Sequence, residues 1–140
     1  MHPREGAVSR EDRELILIVE DNERNLRLVR DLLQANGFAT IEAENARTGL
    51  ALAATRKPAL ILMDIQLPDI DGIAALRRLR GDSETSATVV VALTAFAMST
   101  DRQRFLDAGF DDYVEKPIDV RTFPAHVRKL LRQRVPDVPV

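Results

Sequence analysis

The stretch LILMDIQLPDIDG, residues 60–72, ends an apolar run in an aspartate, Asp64, with Asp69 and Asp71 close behind it. Four consecutive aliphatic side chains, rather than an alternating pattern, suit a strand covered on both faces, as in a parallel sheet. Pro68 and the Asp71-Gly72 pair then read as a turn into a helix. A carboxylate at such a strand end serves as a helix cap, a metal ligand, a nucleophile or a solvated surface group.

Four other short runs share the rhythm: LILIV (15–19), FATIEA (38–43), TVVVAL (88–93) and DYVE (112–115). Between them lie segments with helical spacing and recognisable ends. Residues 23–36 place Leu28, Val29, Leu32 and Leu33 on one face and stop at Asn36-Gly37. Residues 46–56 follow Asn45, which reads as their cap. Residues 72–80 break at Gly81, and residues 98–107 end at Ala108-Gly109. A last helix follows Asp119 and runs to about Arg134, with Pro124 pushing its start toward Thr122. Its basic residues Arg128, Lys129, Arg132 and Arg134 read as a solvated helix end. Five strand–helix alternations predict an α/β domain, a doubly wound parallel sheet over residues 14–134, with flexible tails at 1–13 and 135–140.

Bulk properties narrow the classes. The chain has 140 residues, 45% hydrophobic and 30% charged, which suits one globular domain. Cysteine is absent, which excludes disulfides and thiolate metal sites. A net charge of −2 gives no general push toward nucleic acid or anionic membranes. No run approaches the roughly 20 apolar residues of a membrane span, and the start MHPREGAVSREDRE lacks a signal-peptide core. A cytoplasmic protein without nucleic-acid or membrane partners is expected, and a monomer.

In an open parallel sheet, ligands bind outside the carboxyl ends of the strands. Glu20 and Asp21 follow the first strand, Asp64 the third, Thr94 the fourth, and Lys116-Pro117 the fifth. Two carboxylates about 5 Å apart repel by roughly 3 kcal/mol at an effective dielectric near 20, so such a rim needs a cation. Oxygen donors without Cys or His favour Mg²⁺ or Mn²⁺ over zinc. A metal, an ammonium and a hydroxyl around one carboxylate are the parts of phosphoryl transfer to Asp64. Asp69 and Asp71 lie past Pro68 and read as acids of the turn and the third helix start.

The acidic pair ED, MDIQLPDIDG, LTA and YVEKPI together resemble the receiver domain of two-component response regulators over about residues 14–133. VEDN, ILMDIQLP and LTAFAM are similar to single-domain regulators of the DivK type, and to receivers of hybrid histidine kinases. The resemblance implies a (βα)5, flavodoxin-like fold with strand order 2-1-3-4-5. It implies that Asp64 accepts a phosphoryl group from a histidine kinase or a histidine phosphotransfer protein. Asp21 and Asp64 bind Mg²⁺ (or Mn²⁺) together with the backbone carbonyl of Gln66, and Glu20 acts through water. Lys116 and Thr94 meet the phosphoryl oxygens, Tyr113 is an aromatic switch, and the Lys116-Pro117 bond is cis. Gln66 and Phe96 stand at positions that tune phosphoryl lifetime. Asn22, Asn25, Leu26 and Pro117 are candidates for partner contact, Leu26 as a partly exposed leucine beside the acidic pair.

No output domain is expected after residue 134, and the expected effector is another protein, docking on helix four, strand five and helix five or on helix one. The leading expectation is a phosphoacceptor switch, not an enzyme, that assists only its own phosphorylation and dephosphorylation. Alternatives are a phosphorelay shuttle, a receiver excised from a hybrid kinase, and a haloacid-dehalogenase-type phosphatase. The last usually needs a second acid two residues after the nucleophile, where Gln66 stands. His2 and His126 lie outside the cluster.

Overall fold

The computed structural model describes residues 13–95 and 99–133, with the side chains of residues 99 and 100 outside the description. Strands and helices alternate as β1 (Leu15–Val19), α1 (Glu23–Ala35), β2 (Ala39–Ala43), α2 (Ala46–Arg56), β3 (Leu60–Asp64), α3 (Gly72–Gly81), β4 (Val89–Thr94), α4 (Ser99–Ala108), β5 (Asp112–Glu115) and α5 (Phe123–Gln133). All four strand pairings are parallel, in the order β2-β1-β3-β4-β5. This is the expected doubly wound order. The proposed tails fall almost wholly outside the described residues, as do Phe96, His2 and Arg134.

The period of two along each strand divides the core into two layers. Ile16, Ile18, Leu60, Leu62, Val91 and Leu93 pack with Val29, Leu33, Val127 and Leu131 of α1 and α5. Leu17, Val19, Ile61, Met63, Val90 and Ala92 face the other way, toward Ala46, Ala53, Leu76, Leu79 and Phe105 of α2, α3 and α4. The same parity sorts the strand ends. Glu20, Asp64 and Lys116 continue the α1/α5 layer, whereas Thr94 and Tyr113 share parity with the α4 layer. Asp64 and Thr94 are the last residues of their strands, inside the ladder rather than beyond it.

The helix ends follow local chemistry. Asn22, Asn45 and Asp71 each accept a hydrogen bond from the amide three residues on, at Asn25, Thr48 and Ala74. Pro124 is the second residue of α5, where its missing N–H has no ladder partner to lose, so the helix starts just before it at Phe123. Helix α1 corrects the expected inward face. Its buried stripe is Leu26, Val29 and Leu33, while Leu28 is 37% exposed. At about 100° per residue, Leu28 points about 130° from the centre of that stripe, and Leu32 lies at its edge.

Candidate functional site

The sheet delivers the rim from three strands. β1 ends at Val19 beside Met63 of β3, so Glu20 comes next to Asp64. β5 ends beside Thr94 of β4, with the Lys116 amide donating to the Thr94 carbonyl at 2.8 Å. Lys116 Nζ then reaches back across β4 to Glu20 Oε1 at 2.9 Å and to Asp64 Oδ2 at 3.1 Å. Asp64 Oδ1 accepts the Gln66 amide at 3.0 Å, and Glu20 Oε2 accepts the Asn22 amide at 3.1 Å. Asp21 is exposed, and one oxygen each of Glu20, Asp21 and Asp64 lie within 4.8 Å of one another.

Charge at this rim is incompletely compensated. Glu20 is 0% exposed and Asp64 6%. Burial pushes the Glu20 carboxyl above its ordinary range, and the shared Lys116 ammonium only partly offsets this. Burial also works against the Lys116 ammonium, but Glu20 and Asp64 outweigh it and raise its pKa. The two directions agree physically: one ammonium gains from two carboxylates, while fully buried Glu20 loses more hydration than a shared partner returns. Glu20 Oε1 faces Lys116 as an ion pair without the angles of a hydrogen bond, and among the described residues no hydrogen bond reaches it. A buried acceptor with spare capacity, two carboxylates beside it and an all-oxygen donor set fit a hard divalent cation.

The family model for the response regulator receiver domain matches residues 16–128. The chain belongs to this family. A polar-differentiation response regulator, DivK, of Brucella anthropi is 43% identical over 116 residues, covering 83% of this chain and 94% of that protein. DivK of Brucella abortus is 42% identical over the same shares. Among solved structures, a CheY-like receiver domain protein from Methanospirillum hungatei superposes with a TM-score of 0.79 at 27% identity, over 87% of this chain and 96% of that one. The signal receiver domain of a signal transduction histidine kinase from Syntrophus aciditrophicus gives 0.78 at 29% identity, over 91% and 98%.

Within this receiver, the sequence-derived site residues separate into groups. Glu20, Asp21, Asp64, Lys116 and the Gln66 amide meet at one rim. Thr94 is buried at the end of β4, and Tyr113 is half-buried in β5 with the Arg102 guanidinium 5.0 Å from its ring centroid. The Lys116-Pro117 peptide is cis. Asn22 and Pro117 are exposed and Asn25 is half-buried, and Asn22 also caps α1. Leu26, expected as a partly exposed contact residue, is only 6% exposed because it belongs to the inward stripe of α1. The exposed leucine of that helix is Leu28, which lines a shallow surface groove with Asn22, Arg24 and Arg27.

Two residues carry more than the sequence suggested. Asp69 does not act on α3: its carboxylate accepts the amides of Ala46 and Arg47 at the start of α2, at 2.9 and 3.0 Å. Arg80 spends its guanidinium on the carbonyls of Ser86, Thr88 and Gly109 and on Asp111, tying the end of α3 to the starts of β4 and β5. His126 stands apart from the rim, with Nε2 2.8 Å from Asp112 Oδ2. Among the described residues no helix is long and apolar enough to cross a membrane.

Proposed function

We propose that this receiver is a DivK-like phosphoacceptor switch working in the cytoplasm. It takes a phosphoryl group on Asp64 from a histidine kinase or histidine phosphotransfer protein and signals by binding a protein effector. The observation that supports it most is the placing of Lys116 against both Asp64 and Glu20, with Asp21 completing three carboxylates on one strand-end rim. Similarity to DivK over 94% of that regulator's length favours its mode of action.

In this reading an Asp64 oxygen attacks the phosphorus of a phosphohistidine. The new O–P bond forms as the P–N bond breaks, and the donor imidazole keeps the electron pair. Glu20, Asp21, Asp64 and the Gln66 carbonyl would hold Mg²⁺ (or Mn²⁺), which supplies positive charge to the transferring group's oxygens. The Lys116 ammonium exchanges part of its contact with Asp64 for a phosphoryl oxygen, so positive charge is already in place when transfer begins. The Thr94 hydroxyl donates to another phosphoryl oxygen. One such bond is worth about 1.5–3 kcal/mol, whereas shifting a switch from mostly off to mostly on takes about 5 kcal/mol. Thr94 and Tyr113 have the same strand parity, so repacking of the tyrosine against the α4 layer supplies the remainder. Kinase or phosphotransfer contact falls to Asn22, Asn25, Leu28 and Pro117, and the effector to the face of α4, β5 and α5.

The test is phosphotransfer from a phosphorylated histidine phosphotransfer protein, followed by the emission of Tyr113, the only tyrosine in a chain without tryptophan. The wild type should take the label and change its emission. Asp64→Asn should take none, and Thr94→Ala should take label with a smaller emission change. Label on Asp64→Asn equal to the wild type would remove Asp64 from the mechanism. A persistent phospho-form favours the switch, and rapid return of label to the donor favours a shuttle.

A further inference from the structure

The first turn of α2 contains no acidic residue of its own, yet the amides of Ala46, Arg47 and Thr48 all have side-chain acceptors. A helix leaves its first N–H groups without intrahelical acceptors. In α2 the Thr48 amide donates to Asn45 Oδ1 at 2.9 Å, and the Gly49 amide closes the first turn on the Asn45 carbonyl. The two amides left over, Ala46 and Arg47, donate one to each oxygen of Asp69, 23 and 22 residues away in the chain. A carboxylate receiving two amides at a helix N-terminus makes a charge-assisted, two-point clamp.

Asp69 sits in the middle of the loop that leaves β3, residues 65–71. One end of this loop is fixed by the Ile65 amide on the Leu93 carbonyl and the Gln66 amide on Asp64 Oδ1. The other end is fixed by the Gly72 amide on the Ile65 carbonyl and by the Asp71 cap on Ala74. Asp69 ties the span between them, where Pro68 has no amide to donate. The loop that carries the Gln66 carbonyl is therefore held at both ends, packs Leu67 and Ile70 on the core layer shared with α2, and is tied to the start of α2 by the Asp69 carboxylate.

We propose that Asp69 is a positioning residue for the metal-binding rim: by clamping the Ala46 and Arg47 amides it braces the 65–71 loop and sets the Gln66 carbonyl beside Asp64. This rests on the reading of the rim as a Mg²⁺ site and extends it to a residue outside the carboxylate cluster. Linkage makes the brace reciprocal: a ligand that orders the loop must also protect the start of α2.

The experiment is a Mg²⁺ titration followed by the amide resonances of Ile65 and Gln66, with hydrogen exchange at Ala46 and Arg47 in parallel. Outer partners of metal sites typically change affinity by 10–100-fold, so Asp69→Ala should weaken Mg²⁺ on the order of tenfold. Asp69→Glu, which keeps the carboxylate, should recover part of that loss. Asn45→Ala is the control, since it removes the other cap of the same helix without touching the loop. It should cost similar stability yet leave Mg²⁺ affinity within about twofold. In the wild type, Mg²⁺ should slow exchange at Ala46 and Arg47, an arm that needs no variant to fold. Equal Mg²⁺ affinity in Asp69→Ala and wild type, or an equal loss in Asn45→Ala, would overturn the positioning role and leave the metal site standing. A wild type with no saturable shift would overturn the metal reading and this inference with it.

Discussion

Replacing Lys116 by methionine keeps an apolar stem and removes the ammonium that Glu20 and Asp64 share. At 2.9 and 3.1 Å each attraction is about 5–6 kcal/mol gross at an effective dielectric near 20. Without the ammonium, the Glu20 and Asp64 oxygens, within 4.8 Å of each other, repel by roughly 3.5 kcal/mol or more. The lysine's own desolvation cancels much of the gross gain, and breaking a buried pair nets about 3–5 kcal/mol. The Asn22 and Gln66 amides remain on the two carboxylates, which places the loss at the lower end, about 3 kcal/mol. In a domain of this size that is about 10 °C in Tm. The assay is urea unfolding at neutral pH with and without Mg²⁺. Mg²⁺ should stabilise the variant more than the wild type, by about 1.4 kcal/mol for each tenfold gain in affinity. A loss under about 1 kcal/mol, or equal Mg²⁺ stabilisation of both proteins, would refute the charge argument. The sign with pH is fixed as well. Lys116 has a raised pKa, so its contribution is complete below 10.5 and fades as pH climbs through the folded value. The methionine variant should lack that alkaline loss.

Leu26→Ala should destabilise by about 3 kcal/mol and Leu28→Ala by well under about 1, because only the first empties core volume; equilibrium unfolding decides between them. A Cβ on Gly72 would meet the Asp64 carbonyl oxygen and the Ile65 Cα at 2.8 Å, both backbone atoms, whereas one on Gly81 meets nothing within 4 Å. Gly72→Ala should therefore cost about 1–3 kcal/mol and slow phosphorylation, while Gly81→Ala should be neutral or stabilise by up to about 1 kcal/mol. Asp69 has a lowered pKa, since four backbone amides outweigh its desolvation. Its contribution is complete above the unfolded value of 3.8 and is lost as pH falls through the folded one. Acid unfolding of Asp69→Asn should be flatter across that window, and an unchanged profile would contradict the clamp.

The parallel sheet was legible because β1, β3 and β4 are unbroken aliphatic runs, and the rim because unlike charges gathered at strand ends. What pattern reading mistook lies where two signals compete. On α1, four apolar residues fall at 28, 29, 32 and 33, but the turn that packs inward is set by Leu26, Val29 and Leu33. Leu26 is buried because its position around the helix, not its nearness to the acidic pair, decides burial. Asp69 read as an acid of α3 because local rules search the nearest helix, and its true partners are 22 and 23 residues upstream. The signal was present in α2, whose first turn carries no acid, but it identifies a vacancy rather than the residue that fills it. Arg80 gave no signal, since an arginine in the last turn of a helix is ordinary until the fold supplies its carbonyls.

The central claim is that Asp64 is the nucleophile of this rim. Incubation with acetyl phosphate and Mg²⁺, followed by intact mass and peptide mapping, tests it without a partner protein. One Mg²⁺-dependent phosphoryl adduct on residue 64 of the wild type, absent from Asp64→Asn, is the predicted result. No adduct on the wild type, or an equal adduct on the variant, would contradict it.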